Sequence, residues 1–291
     1  MKKYLTLILA FSLALGTSVF AQEKPAAETG APLTPSEEQA RLMALAKASQ
    51  NPLTDMVSIP VQFNFYTGGG LGDQTVRETL LQPVLPLSIS PKWNLIARTI
   101  VPYLNIPESK QSNGNRLKGI GDIEEELVFS PKHSGKITWG VGPVLSFPTA
   151  TINEIATGQF AIGPTAAIIL MPGKWLFGAV ANNIWRMGGS DSTTAINQFF
   201  VQPFINYNLK GGWAISTGPA ISANWAAPVG QQWTVPIGIG FSKVTLVGAQ
   251  HVSVILQYYH NIVRPDNGAA DQVRMQVSLL LPSRARAIPP K

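Results

Sequence analysis

The residues able to do acid–base, nucleophilic or metal chemistry are few and scattered. The 291-residue chain has three histidines and no cysteine. His133 and His251 fall in short connecting segments, and His260 sits near the end of an apolar stretch, on the same parity as Tyr258 and Ile262. Zinc needs clustered His and Cys, and calcium needs a loop of spaced oxygens. Neither pattern occurs, so no metal or cofactor is expected. The glycine-rich segment 68–73, GGGLGD, precedes an alternating stretch and not a helix, so it reads as a loop and not a phosphate cradle. The densest charge is the run Asp122, Glu124, Glu125, Glu126. On a strand Asp122, Glu124 and Glu126 share one face and Glu125 takes the other.

The elements that position these groups are strands. From Val57 onward the apolar period is two: in VQFNFY, Val61, Phe63 and Phe65 oppose Gln62 and Asn64. In WNLIARTIVPY, Trp93, Leu95, Ala97, Val101 and Tyr103 oppose Asn94 and Arg98. In NQFFVQPFINYN, Phe199, Val201, Ile205 and Tyr207 oppose Gln198, Gln202, Asn206 and Asn208. Charged residues make up only 13% of the chain, too few for a water-covered surface of this size, and no apolar run after the first residues approaches the roughly 20 needed by a spanning helix. A chain that meets lipid in this way does so as a closed barrel.

Strands are predicted at 56–66, 75–88, 93–105, 120–130, 136–148, 159–171, 175–186, 196–208, 212–225, 233–247, 251–262 and 273–281. The fold class is all-β: an antiparallel up-and-down transmembrane barrel of about twelve strands with a short N-terminal periplasmic helix. Connections alternate long and short along the chain and the first is long, so both ends lie on the short-turn, periplasmic side. Trp93, Trp175 and Trp213 follow short turns, while Trp185, Trp225 and Trp233 flank long loops, which makes two interface girdles. Several prolines fall inside strands. The Gly-Pro pairs at 142–143, 163–164 and 218–219 suggest repeated bends in which a lumen-side glycine makes room for a neighbouring side chain.

The ends carry separate signals. MKKYLTLILAFSLALGTSVFAQ has the basic, apolar and small-residue order of a signal peptide cut after Ala21. Residues 22–50 form a Pro- and Ala-rich leader and a helix over 35–49, with Thr34 as N-cap, Pro35 in the first turn and Glu37 as the capping acid. Leu42, Met43 and Leu45 give it a modest apolar stripe, consistent with either a periplasmic tether or a plug in the barrel mouth. The barrel then spans 51–282 and a basic tail 283–291.

The blocks LAKASQNPLTDMVSIPVQFNF, WNLIARTIVPYL, GIGDIEEELVFSP, WGVGPVLSFPTAT, MPGKWLFGAVANNIW, FVQPFINYNL and SANWAAP resemble a family of bacterial outer-membrane proteins catalogued as transporters or channels. That family is sometimes linked to aromatic-compound, phenol meta-pathway degradation and is often mislabelled neuromedin U. The resemblance covers about Leu45 to Leu281. It implies an outer-membrane barrel and supplies no catalytic motif or binding residue.

Three functions follow. The first is a channel for small solutes, aromatic or apolar ones among them, with selectivity set by a lumen row of Glu78, Gln82, Arg98, Asp122, Glu124, Glu126, Arg186, Gln198, Gln202, Asn206 and Arg274. The second is a non-conducting structural or adhesive barrel whose interior is sealed by pairing these acids with Arg98, Arg186 and Arg274. The third is a lipid hydrolase using His260 at the outer rim, which requires a serine and an orienting Asn or Asp within hydrogen-bond reach. Expected partners are outer-membrane lipid, the barrel-assembly machinery and a small solute; the mild charge of +6 gives no reason to invoke nucleic acid.

Overall fold

The structure, a computed structural model, describes residues 34–69, 74–108, 115–133, 135, 137–152, 154–191, 194–248 and 250–281. The expected signal peptide and the C-terminal tail lie outside the described residues.

Helix α1 (Pro35–Gln50) begins as its sequence dictates. Thr34 accepts from the Glu37 amide while the Glu37 carboxylate accepts from the Thr34 amide, closing a capping box ahead of a first-turn proline. None of the described helices is long and apolar enough to cross a membrane.

The strands are β1 (Val57–Thr67), β2 (Val76–Leu81), β3 (Val84–Ser88), β4 (Trp93–Pro107), β5 (Arg116–Ile120), β6 (Ile123–Pro131), β7 (Ile137–Phe147), β8 (Gln159–Leu170), β9 (Trp175–Gly189), β10 (Asn197–Asn208), β11 (Trp213–Thr217), β12 (Ile221–Asn224), β13 (Trp233–Val247), β14 (Gln250–Val263) and β15 (Asp271–Leu281). All pair antiparallel with sequence neighbours, and β1 pairs with β15 from Val57↔Leu281 to Thr67↔Asp271, which closes the sheet. Three of the barrel strands are broken in mid-course, β2/β3 at Gln82-Pro83, β5/β6 at Gly121-Asp122 and β11/β12 at Gly218-Pro219-Ala220, so the segments make a closed barrel of twelve strands.

Alternation sorts the two faces. Phe65, Tyr103, Phe129, Ile239, Phe241, Leu256 and Met275 are exposed on the outside, whereas Asn64, Asn94, Glu126, Gln257, Gln272 and Arg274 are buried within. Seven tryptophans stand on the outer wall. Trp93 meets Trp139 edge-on at 6.0 Å and Trp175 meets Tyr207 at 4.7 Å near the short-turn end, while Trp225 and Trp233 meet at 5.3 Å at the long-loop end. Each such pair adds about 0.5–1.5 kcal/mol beyond its burial. Trp139 thereby joins the short-turn girdle, and Lys243 lies over the Trp213 ring at 4.6 Å.

The prolines receive a physical account that differs from the expected one. Pro143 and Pro164 face each other across β7 and β8. The glycines before them make room for backbone, not side chains: a Cβ on Gly142 would stand 1.8 Å from the Leu127 carbonyl oxygen, and one on Gly163 1.6 Å from that of Asn183. Pro236 adjoins a register shift at Val235/Pro236. Pro83 and Pro219 sit at strand breaks, where a missing amide ends the ladder.

Candidate functional site

The breaks expose main-chain groups to the lumen, and polar side chains collect there. At Gly218 the amide donates to the Tyr259 hydroxyl at 2.9 Å, and the carbonyl accepts from Gln202 at 2.9 Å and from Arg274 Nη1 at 2.8 Å. Tyr259 is fully buried beneath Arg274, whose guanidinium carbon lies 5.0 Å from its ring. At the β2/β3 break Gln82 accepts from Arg98, and Arg98 also pairs with Glu126 at 3.2 Å. Asn182 donates to the second oxygen of Glu126 at 3.2 Å. At the β5/β6 break Asp122 accepts from the Thr149 and Ala150 amides, both at 2.9 Å, and from the Thr157 hydroxyl at 2.7 Å, pinning the loop between β7 and β8.

Two cavities follow the barrel interior. The larger, about 450 Å³, lies toward the long-loop end and is lined by Glu78, Gln82, Arg98, Asp122, Glu124, Glu126, Gln198, Gln202 and Arg274 together with Tyr66, Ile100 and Phe200. The smaller, about 200 Å³, lies toward the short-turn end, and Asn206 belongs to it. Gln62, Gln82, Arg98, Gln202 and Arg274 line both, forming a shared layer of amides and guanidinium groups at mid-height.

The floor of the smaller cavity is the chain that precedes β1. Ala48 to Asn51 and Thr54 line it. Leu53 is 6% exposed and packs among Ile96, Val128, Ala167, Ile169, Leu176 and Val180, the inward apolar residues of four strands. Ala46 and Met56 pack on Val244 and Leu280, with Leu45 beside them. Gln50 and Asn208 exchange hydrogen bonds at 3.0 and 3.2 Å, Lys47 reaches the Gly173 carbonyl, and Asp55 accepts from Asn94. The end of α1 and the residues after it are therefore a stopper seated in the short-turn mouth.

Not every expected lumen group belongs to these cavities. Arg186 pairs with the exposed Asp191 by the loop after β9 and lines neither of them, which removes it from the interior network. Of the three arginines proposed to cancel the lumen acids, Arg98 alone does so among the described residues. Glu125 faces outward, where the Thr99 hydroxyl donates to it at 2.6 Å. His251 is buried on β14 opposite Leu280 instead of lying in a turn. Asn64, Tyr66, Asn182 and Tyr259 complete the site. The alternation already placed Asn64 on the inner parity, but the other three have no polar cue strong enough to single them out.

The outer-rim histidine has an acid beside it, and among the described residues no serine is bonded to it. His260 Nδ1 lies 2.9 Å from Asp271, which also accepts from the Tyr258 hydroxyl at 2.5 Å. Its cross-strand partners are Ile237 and Asp271, not a serine.

Outward apolar residues, aromatic girdles and an enclosed polar lumen define the class as a membrane-spanning β-barrel of the outer-membrane type. No protein-family model and no curated protein matches the sequence. Among solved structures, the chain is similar to the COG4313 outer membrane channel from Pseudomonas putida F1, with TM-score 0.58 and 12% identity over 89% of this chain and 100% of that one. It is also similar to the NanC porin, with TM-score 0.50 and 10% identity over 77% of this chain and 100% of that one. At these identities the likeness establishes the barrel fold.

Proposed function

We propose that the protein is an outer-membrane channel for small solutes, with the long loops outside the cell and both chain ends in the periplasm. The observation that carries this reading is the pair of cavities meeting at the Gln62, Gln82, Arg98, Gln202 and Arg274 layer. A barrel built only to seal itself would fill that height with matched pairs. Selectivity is assigned to Glu78, Gln82, Arg98, Asp122, Glu124, Glu126, Gln198, Gln202, Asn206 and Arg274. The tryptophan girdles hold the wall at the two lipid–water boundaries. The fold shared with a protein described as an outer membrane channel supports the same reading.

The stopper makes conduction conditional, since passage requires it to leave the short-turn mouth. The chain has no native cysteine, so Gln50→Cys and Asn208→Cys together give a clean pair for a short reducible thiol cross-linker. In planar bilayers the purified protein should show discrete conductance steps, lost on cross-linking and restored by reductant. A folded barrel that gives neither steps nor liposome swelling with any small solute refutes the channel. Steps untouched by the cross-link refute the stopper's role alone.

A further inference from the structure

The charges of the larger cavity are divided by wall. Glu78 of β2 and Glu124 and Glu126 of β6 lie to one side, with Arg98 of β4 among them and Asp122 in the break before β6; Glu78 is two strands from β15 and Glu124 four. The wall around β15 carries Arg274 amid amides and hydroxyls, Asn64 and Gln257 beside it in register.

Pairing does not cancel this division. Arg98 is committed to Glu126 and Gln82, and Asp122 to the loop. Glu78 accepts only from neutral donors, Asn64 at 2.8 Å and Tyr66 at 3.0 Å. Glu78 and Glu124 make no salt bridge among the described residues, and neither does Arg274. Arg274 is 5% exposed, and its Nε is the one buried side-chain nitrogen or oxygen among the described residues without a hydrogen-bond partner. A buried cation with an unmet donor is a costly arrangement unless something in its working cycle supplies an acceptor.

We infer that the larger cavity is a binding site for a small zwitterion with its charges at opposite ends, the solute carboxylate held by Arg274 of β15 and its ammonium group by Glu124 of β6, four strands round the wall, with Glu78 of β2 between them. The inference rests on the channel reading for its biological sense but not for its test. A guanidinium takes a carboxylate through two parallel N–H bonds. Nη1 is held by the Gly218 carbonyl, so the carboxylate approaches from the lumen and draws Nε up by a small side-chain rotation. An ammonium ion, which has only donors, matches oxygens that lack a cationic partner. Leu80, Ile100 and Phe200 line the cavity with these groups and admit an apolar body between the two charged ends. A plain anion would meet Glu78 and Glu124, and a plain cation would leave Arg274 unpaired.

Fluorine NMR on the intact barrel in detergent micelles tests this with three probes of one shape: 4-(aminomethyl)-3-fluorobenzoate, which carries its charges at opposite ends, and its singly charged counterparts 4-ethyl-3-fluorobenzoate and 2-fluoro-4-methylbenzylamine. The zwitterion should broaden saturably and bind at least tenfold more tightly than either singly charged probe. Arg274→Gln should weaken the zwitterion about tenfold, to the level of the amine, and Glu124→Gln should bring it toward the level of the acid. Arg274→Lys, which keeps the charge without the planar fork, should fall between and serves if Arg274→Gln does not fold. Equal affinity for acid and zwitterion, or affinities unmoved by these substitutions in folded barrels, overturns the inference. A barrel that conducts without this preference refutes the zwitterion site alone, and one that binds but never conducts refutes the channel alone.

Discussion

Leu53→Ala tests whether the stopper governs passage, and its effect can be worked from the packing. Leu53 is almost wholly buried against six lumen-facing side chains, yet it belongs to none of the strands. Truncating a buried leucine costs about 2–5 kcal/mol in a rigid core. A segment seated in a mouth can relax, so the lower part of the range applies. A loss of about 2–3 kcal/mol from the seated state shifts the seated-to-released ratio by roughly 30- to 150-fold. The barrel ladder is untouched, so the mutant should run as a folded, heat-modifiable species beside the native protein. In planar bilayers its ratio of open to closed time should rise by one to two orders of magnitude. A folded Leu53→Ala protein with native closed times would refute the argument that this side chain holds the mouth shut.

The remaining predictions follow from the same contacts. Glu126→Gln removes the acid that Arg98 faces inside the lumen; because Arg98 is a quarter exposed, the cost should be about 1–3 kcal/mol, below that of a fully buried pair, read from urea unfolding in lipid vesicles, and ion selectivity should move toward anions. Gly163→Ala forces a Cβ onto a main-chain oxygen and should prevent assembly into vesicles, whereas Gly188→Ala, which meets nothing within 4 Å, should assemble normally. Thr34→Ala should weaken the start of α1 by about 1 kcal/mol, visible as faster amide exchange in its first turn. The Thr34 amide and hydroxyl hold the Glu37 carboxyl below its ordinary value, so this capping contribution is full above the ordinary glutamate range and is lost as pH falls through the lowered value. First-turn exchange should therefore quicken on acidification, after correction for intrinsic rates, and do so less in Glu37→Gln.

The sequence made some parts of this architecture readable and hid others for definite reasons. A period of two reports which face a residue takes. It therefore located the strands within a few residues and put Arg98, Gln202 and Arg274 on one wall surface. Periodicity cannot see a break that preserves parity, so 75–88 and 212–225 read as single strands although the ladder stops at Pro83 and Pro219. It says nothing of what lies opposite, which is why Gly142 and Gly163 suggested space for side chains when the need was for crossing backbone. Arg186 has inward parity but stands high enough for Asp191 of the adjoining loop to claim it. The stopper was the least legible part. Leu53 lies outside the helical stripe, and its seat is assembled from four strands distant in sequence.

The closing pairing of β1 with β15 bears on the order of assembly. It joins segments separated by nearly the whole barrel, and such non-local contacts come late because the loop entropy must be overcome first. Until it forms, β1 and β15 each present an unpaired edge, which a hydrocarbon environment does not tolerate. Part of the stopper's seat lies on the same seam, since Ala46 and Met56 rest on Leu280 of the final strand. The helix can dock in its native place only after the last strand has arrived. Protection of the α1 amides against exchange would thus serve as a clock for completed insertion, with the barrel passing through an unstoppered stage each time a new copy is made.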